Sequence, residues 1–531
     1  MCLIAAGTQV GSVAGYGAWA CNNNIPITNP CIWPGVNCRA NVVQQIALTN
    51  IPLAGSLPSA VGLLSALTSL VISGDSLAGT VPTSIGSLSA LSTLDLSNNQ
   101  LGGSVPTSIA GLSSLTYLSL AGNGLVGPIP NGITSQSQLR YLSLTNNQLS
   151  GPIPTKISSI TTLTYLDLSH NNLNNLVPPN LQNMVALRHL SLAHNYLSGP
   201  IPSALGSITT LTYLDLSYNN LNQAIPTNLQ NLVQLRTLLL NNNQLVSTVP
   251  TALGALPALS ILDVSSNGVT GTIPTALSGL SSITYLSLAQ NSLVGSIPVS
   301  LGAQITLRYL SLAHNKLTSS IPSALGTLTA LSYLDVSYNS LITSLPSSFQ
   351  QLHQLVTLKI NNNLLTGNLP TEFGLLPALL SFDFQSNSFI GSIPASYCTH
   401  LNEISAYSQS LTCYAPCVAT LPSASLGSLP PCGTGGTPTS APASNPGTKY
   451  FLNIRLYDIF GDGWDTAQLH IYSSVGSYYQ SYSVNYLNNP ASAQYYFDSS
   501  SSKSGDVVTI VVQGYQPKEP WEVRVLIAMK A

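Results

Sequence analysis

Charged residues are scarce in this chain. Only 6% of its 531 residues are Asp, Glu, Lys or Arg, and the formal net charge at pH 7 is −2. Nucleic acids and anionic membrane surfaces attract proteins with an excess of basic residues, so neither is an expected partner. Long apolar runs are also absent. The mean hydropathy is +0.28, yet no stretch approaches the ~18 consecutive apolar residues of a membrane-spanning helix, and we expect no membrane insertion.

Cysteine is missing from the middle of the chain. No cysteine occurs between Cys38 and Cys398, and the eight cysteines lie near the two ends. An even number of cysteines flanking a long region is typical of disulfide-linked caps formed in an oxidising compartment. Their irregular spacing, without a histidine cluster, argues against a metal site. The first residues lack the basic start and apolar centre of a signal peptide, so we expect a mature secreted chain, extracellular or at the cell surface.

A 24-residue repeat fills the region between the cysteines. The stretch Leu187–Pro202 has the sequence LRHLSLAHNYLSGPIP, which matches the leucine-rich-repeat pattern L-x-x-L-x-L-x-x-N-x-L. The asparagine recurs every 24 residues from Asn99 to Asn387, and the proline recurs at the same interval from Pro58 to Pro394, which gives 15 repeats. Repeat positions are numbered from the first leucine, so Leu187 is position 1 and Asn195 is position 9.

Each repeat is expected to contribute one short strand to a solenoid. The leucines of the L-x-L segment point inward, and successive strands lie roughly 4.8 Å apart. The asparagine lies where the strand ends, and its side chain can bond backbone groups that the turn leaves unpaired. Glycine and proline in the following L-x-G-x-I-P segment turn the chain again. The predicted fold class is an α/β leucine-rich-repeat solenoid of mostly short parallel strands, with 3-10 or irregular structure on its convex side.

The L-x-G-x-I-P segments at Leu125–Pro130 and Leu197–Pro202 resemble the plant-type extracellular leucine-rich repeats of receptor ectodomains and polygalacturonase inhibitors. The resemblance covers residues 1 to about 417 and implies a protein that binds other molecules. The stretch Cys31–Cys38, CIWPGVNC, is similar to the C-x-W-x-G-V-x-C cap of this family. This similarity implies a Cys31–Cys38 disulfide, which leaves Cys2–Cys21 as the other N-terminal pair.

The ends of the solenoid are expected to be capped. Residues 1–42 form the predicted N-terminal disulfide cap, residues 43–394 the solenoid, and residues 395–432 the C-terminal cap. The sequence does not determine how the four C-terminal cysteines pair. Our hypothesis is the sequential arrangement, Cys398–Cys413 and Cys417–Cys432.

Residues 433–448 form a predicted linker rich in Gly, Pro, Ser and Thr. Such a composition cannot build a core and is typical of O-glycosylated connectors. The candidate O-glycosylation sites are Thr434, Thr437, Thr439, Ser440 and Ser444.

Residues 449–531 are predicted to form a small all-β domain, a sandwich of short alternating strands. The stretch Asp458–Asp465, DIFGDGWD, resembles the D-x-x-G-D-G-W β-domain of algal, protist and bacterial cell-surface proteins. Asp458, Asp462 and Asp465 are candidate ligands of a calcium ion, since three carboxylates within eight residues match its preference for oxygen. The alternative is an Asp-Gly turn followed by a packed tryptophan.

Two rows of polar residues are predicted to line the concave face, because side chains that flank the inward leucines point outward. This face could bind a partner through tyrosine and carboxylate contacts. Alternatively, it is a solvated sheet stabilised by cross-strand pairs. Position 3 supplies Tyr117, Tyr141, Tyr165, His189, Tyr213, Tyr285, Tyr309 and Tyr333, and position 5 supplies Asp95, Asp167, Asp215, Asp263, Asp335 and Asp383.

The sequence favours a structural or adhesive protein that is not an enzyme. No G-x-S-x-G, H-E-x-x-H or phosphate-loop motif occurs, and an open sheet offers no cleft to separate the pKa values of two carboxylates. Because low net charge promotes self-association, we expect the solenoid to assemble with copies of itself into an extracellular filament or sheath. The alternative is a monomeric recognition protein that binds a protein or glycan on the concave face.

Overall fold

The computed structural model describes residues 21–22, 25–26, 28–74, 76–399, 401–406 and 410–432. Toward the C-terminus it describes the strand segments 468–472, 479–483, 493–497 and 508–512. The chain divides into two units, residues 1–434 and 435–531.

Positions 3 to 5 of successive repeats form the strands of one long sheet, the main sheet. Leu166 pairs with Leu142 on one side and Leu190 on the other, so identical repeat positions face each other across the sheet. The sheet has 18 strands, of which the first two are antiparallel and the others parallel. They are Val36–Arg39, Val42–Thr49, Ser69–Ser73, Thr93–Asp95, Tyr117–Ser119, Tyr141–Ser143, Tyr165–Asp167, His189–Ser191, Tyr213–Asp215, Thr237–Leu239, Ile261–Asp263, Tyr285–Ser287, Tyr309–Ser311, Tyr333–Asp335, Thr357–Lys359, Ser381–Asp383, Glu403–Ser405 and Ser423–Ser425.

Shorter parallel strands follow the asparagine of each repeat and form several smaller sheets. They are Ala78–Thr80, Gln100–Gly102, Val126–Gly127, Gln148–Pro152, Asn172–Leu176, Tyr196–Gly199, Asn220–Gln223, Gln244–Leu245, Thr270–Gly271, Ser292–Gly295, Lys316–Leu317, Ile342–Thr343, Leu364–Asn368, Ser388–Ile393 and Leu411–Tyr414.

The side opposite the main sheet is built from single 3-10 turns. In most repeats the turn begins directly after the repeat proline, whose fixed φ suits the start of a helical turn. Among the described residues no helix is long and apolar enough to cross a membrane. The turns are Pro30–Ile32, Ser59–Leu63, Thr83–Ser87, Thr107–Gly111, Asn131–Ser135, Thr155–Ser159, Leu181–Asn183, Ser203–Ser207, Thr227–Asn231, Thr251–Ala255, Thr275–Gly279, Val299–Ala303, Ser323–Thr327, Ser347–Gln351, Thr371–Leu375, Ala395–Cys398 and Pro416–Thr420.

The core is a continuous column of leucines between the main sheet and the 3-10 turns. Leu187, Leu190, Leu192 and Leu197 of one repeat are all buried against the same positions of the neighbouring repeats. Along a strand, burial alternates as the period of two requires, so Leu166 is buried between the less buried Tyr165 and Asp167. A single repeat could not exclude water from its leucines, which is why stability comes from stacking.

The position-9 asparagines join neighbouring repeats by hydrogen bonds. The Asn195 side-chain amide donates to the carbonyl of Leu168 in the preceding repeat at 3.0 Å and to Leu192 and Ala193 in its own repeat at 3.1 Å. Its Oδ1 accepts from the Leu173 amide at 2.9 Å. The same bonds recur at every asparagine from Asn99 to Asn387. These side chains satisfy backbone groups that the turn would otherwise leave buried and unpaired.

The N-terminal cap closes one end of the column. Cys31 and Cys38 form the disulfide that the resemblance implies, and the loop between them holds Trp33, whose indole nitrogen donates to the Thr28 hydroxyl at 2.7 Å. Cys21–Asn22 and Ile25–Pro26 form a short antiparallel pair. The predicted Cys2–Cys21 disulfide lies outside the described residues.

The C-terminal disulfides differ from the sequential hypothesis, which was wrong. Cys398 pairs with Cys417, and Cys413 pairs with Cys432. The main sheet continues through Glu403–Ser405 and Ser423–Ser425, so the region predicted as a cap adds two further rungs. Cys398 and Cys417 lie in 3-10 turns of successive rungs. The disulfides therefore join adjacent rungs rather than neighbours in sequence.

The second unit contains two antiparallel strand pairs among its described segments. Gln468–Tyr472 pairs with Tyr479–Ser483, and Ala493–Phe497 pairs with Val508–Val512. The sandwich arrangement, the linker and its O-glycosylation sites at residues 434–444, and the candidate calcium ligands Asp458, Asp462 and Asp465 lie outside the described residues and stay predictions.

We predict that Asn195→Ala lowers the free energy of unfolding by about 2–4 kcal/mol, because buried backbone groups lose their partners. The matched control is Asn172→Ala, since Asn172 is exposed; we expect a change within about 0.5 kcal/mol. Urea denaturation followed by circular dichroism measures both. Equal losses in the two variants would show that the buried asparagine contributes nothing specific.

Candidate functional site

The main-sheet face consists of the side chains at positions 3, 5, 7 and 8 on the outer side of the main sheet. Because equivalent residues pair across every strand boundary, each position forms a straight row along the solenoid. The structure therefore brings the predicted tyrosines and aspartates together on one surface.

The position-3 aromatic residues form two stacked ladders. Tyr117, Tyr141, Tyr165, His189 and Tyr213 stack with ring centroids 4.2–4.3 Å apart and nearly parallel planes. Each inner ring has both faces covered by its neighbours. The rings of this ladder therefore present edges and hydroxyl groups to a ligand, and stacking of a sugar ring on the inner tyrosines is excluded.

The second ladder comprises Tyr285, Tyr309 and Tyr333, with centroids 4.3 and 4.4 Å apart. The Lys359 ammonium nitrogen lies 5.8 Å from the Tyr333 ring centroid, within cation–π range. Thr237 and Ile261 occupy position 3 between the two ladders and interrupt the aromatic row.

The position-5 aspartates are bonded to the turn that follows each strand. Oδ1 of Asp215 accepts from the Ser217 amide at 2.9 Å and from its hydroxyl at 2.6 Å. The Tyr213 hydroxyl donates to Oδ2 at 3.3 Å. Asp167 and Asp335 make the same three contacts with their own Ser and Tyr neighbours.

The remaining position-5 aspartates accept hydrogen bonds from different sets of donors. Asp95 accepts both bonds from Ser97. Asp263 accepts from the Ser265 amide and from the Tyr285 hydroxyl of the next repeat, and Asp383 accepts from the Gln385 amide. The aspartates therefore organise the turns of this face.

Burial shifts the pKa values of several position-5 aspartates and of His189. Desolvation raises the pKa of Asp215 and of Asp383 to about 6. Burial also raises the pKa values of Asp167 and Asp263. In the aromatic row, burial lowers the pKa of His189 to about 4, so this imidazole is neutral at physiological pH.

A second aromatic row lies at position 8 and was not predicted as an aromatic ladder. His170, His194 and Tyr218 stack with centroids 4.1 and 4.0 Å apart, and His314 stacks on Tyr338 at 4.0 Å. Residues at this position adopt left-handed backbone conformations with φ near 52°, uncommon for side chains of this size. The signal in the sequence was the 24-residue spacing of these rings.

No group of three or more potential metal ligands occurs among the residues that the structure describes. His170 and His194 stack face to face, so their nitrogens do not converge on a common point.

Comparison with known proteins agrees with this geometry. Family profiles described as Leucine rich repeat match residues 65–125, 137–197, 234–293 and 305–365, and a single-repeat profile matches residues 210–232. A crystal structure of a TDR receptor is 30% identical, covers 70% of this chain and 69% of its own, and has a TM-score of 0.63. The chain belongs to the leucine-rich-repeat family.

Two further structures extend this similarity. The plant peptide hormone receptor RGFR1 in complex with RGF2 is 26% identical, with 70% of this chain and 72% of that chain covered and a TM-score of 0.58. A leucine-rich-repeat protein of Leptospira interrogans is 30% identical, and the match covers 64% of this chain and 85% of that chain with a TM-score of 0.54. No curated protein matches the chain. The repeats are thus of the type found in plant receptor ectodomains, which makes this chain a protein-interaction scaffold.

We predict that Asp215 makes stability fall as the pH rises from about 4 to about 6. Its folded pKa of about 6 exceeds the unfolded value of about 3.9, so the unfolded chain ionises first across this window. Asp215→Asn should reduce the difference in unfolding free energy between pH 4 and pH 6 by about 1–3 kcal/mol.

Urea denaturation at pH 4, 5, 6 and 7 measures the effect, with the exposed Asn172→Ala variant as control. An Asp215→Asn variant whose stability changes with pH as much as that of the wild type would contradict the assignment.

Proposed function

We propose that this protein is a secreted, non-enzymatic recognition scaffold that binds an extended segment of another extracellular protein along the main-sheet face. The observation that carries the proposal is the register of that face, which places aromatic, hydroxyl and carboxylate groups in straight rows along the solenoid. The similarity to a plant peptide hormone receptor in complex with RGF2 supports a ligand of this class.

The dimensions of the face suit an extended segment. The Tyr117–Tyr213 ladder spans five rungs, or about 19 Å at ~4.8 Å per rung. An extended chain of about six residues covers this distance at ~3.4 Å per residue. One ligand segment would therefore contact several rungs at once.

The chemistry of the face suits hydrogen bonding along the ligand backbone. An extended segment exposes amide and carbonyl groups, and tyrosine hydroxyls can donate or accept. Tyrosine is also enriched at the energetic centres of protein interfaces. Because the inner rings already stack on one another, little side-chain entropy is lost when a ligand binds.

Three disulfides among the described residues support an oxidising, extracellular location. The low net charge remains the argument for self-assembly into a filament, whereas the structural relatives support recognition. Sedimentation of the full chain separates the two functions. We expect discrete small species, and long regular polymers would favour the filament.

We predict that Thr145→Trp blocks binding of peptides selected from a random library on the immobilised full chain. Thr145 lies half-buried at position 7 of the main-sheet face, and an indole there obstructs a lengthwise ligand. We expect the affinity to fall at least about tenfold, as for loss of a central interface contact.

The matched control is Thr318→Trp, because Thr318 is an exposed threonine outside the main sheet, beside the strand Lys316–Leu317. Circular dichroism verifies that both variants fold, and fluorescence anisotropy measures binding. Selected peptides that bind both variants equally, or a library that yields no binder, would refute the proposed function.

A further inference from the structure

Half of the basic side chains in residues 1–432 lie in one row. Residues 1–432 contain eight Lys and Arg side chains, and Arg140, Arg188, Arg236 and Arg308 all occupy position 2 of their repeats. All four are exposed. In a chain with so few charges, this placement concentrates positive charge along one edge of the main-sheet face.

The backbone fixes the spacing of the first three arginines. The Thr164 amide donates to the Arg140 carbonyl, and the Arg188 amide donates to the Thr164 carbonyl, both at 2.8 Å. Thr212 and Arg236 continue the same ladder at 2.8 Å. Arginine and threonine therefore alternate, and successive arginines lie two rungs apart, about 10 Å. Arg308 lies three rungs beyond Arg236 and breaks this interval.

These guanidinium groups have no partner within the solenoid residues that the structure describes. The nearest row of carboxylates, at position 5, is three residues further along each strand, about 10 Å away. Those carboxylates already accept bonds from serine and tyrosine, as at Asp215. Threonine occupies position 2 on alternate rungs, so the fold itself does not require arginine there.

We propose that Arg140, Arg188 and Arg236 form an anion-binding edge that selects protein segments in the polyproline II conformation with an acidic side chain at every third residue. Polyproline II has three residues per turn and a rise of about 3.1 Å per residue, so every third side chain points the same way at intervals of about 9 Å. This interval closely matches the arginine spacing. An extended β segment would instead place residues i and i+3 on opposite sides.

The chemistry of both partners supports this assignment. Arginine binds carboxylates through two parallel hydrogen bonds, which favours regularly placed acidic side chains. A polyproline II segment has no internal hydrogen bonds and leaves its backbone groups free for the hydroxyls of the face. The inference deepens the proposed function and rests on it, since it names the kind of segment that the same face would hold.

The test uses two peptides of equal composition with the full chain. The peptide (Glu-Pro-Pro)3 carries its glutamates in the arginine register, and the peptide Pro-Pro-Pro-Glu-Glu-Glu-Pro-Pro-Pro clusters them. Fluorescence anisotropy at low and high salt measures binding. We expect the registered peptide to bind at least about fivefold more tightly than the clustered one, and its affinity to fall as salt rises.

Matched arginine variants make the test specific. Arg188→Gln should weaken binding of (Glu-Pro-Pro)3 about fivefold, whereas Arg308→Gln, an exposed arginine of the same row outside the register, should change it less than about twofold. Equal affinities for the two peptides, or equal effects of the two variants, would overturn the inference. Arginine-dependent binding of a linear polyuronate without binding of the peptide would also overturn it, in favour of an acidic glycan.

Peptides selected from the random library separate this inference from the proposed function. If those peptides bind and lose affinity in Thr145→Trp while (Glu-Pro-Pro)3 binds no more tightly than the clustered peptide, recognition by the face stands and the acidic register is wrong. If neither the selected peptides nor (Glu-Pro-Pro)3 binds, both proposals fail.

Discussion

The hydrogen bonds of the position-9 asparagines are the constraint on which the rest of the structure depends. Each side chain satisfies backbone groups in its own repeat and in the preceding one, as Asn195 does with Leu168, Leu173 and Leu192. A buried amide with four partners is stabilising only while all four are in place. Its bonds therefore fix both the length of a repeat and the register between repeats.

Everything on the main-sheet face follows from that register. A slip of one residue would exchange the buried and exposed faces of a strand, so stacking admits no intermediate arrangement. Rings at position 3 are consequently held 4.2–4.4 Å apart, and arginines at position 2 return every second rung between Arg140 and Arg236. A face with fixed rows and a fixed interval suits the recognition of an extended, periodic ligand.

The sequence predicted features that depend on backbone periodicity. The 24-residue interval predicted the strands and the bonding role of the asparagines, since each is a local consequence of one repeat. The interval did not predict the C-terminal disulfide pairs, because the spacing of the rungs changes there. From Ser381 to Glu403 the spacing is 22 residues and from Glu403 to Ser423 it is 20, and these shorter rungs bring Cys398 beside Cys417. Side-chain hydrogen bonds were also beyond the pattern, because nothing in the spacing shows that Tyr213 donates to Asp215.

The most direct measurement of the central claim is a crystal structure of the full chain bound to a peptide selected from a random library. We predict continuous density for an extended segment that runs lengthwise over several rungs of the main-sheet face, with its backbone bonded to tyrosine hydroxyls. Density on the side of the 3-10 turns, or a peptide bound only at one end of the solenoid, would contradict it.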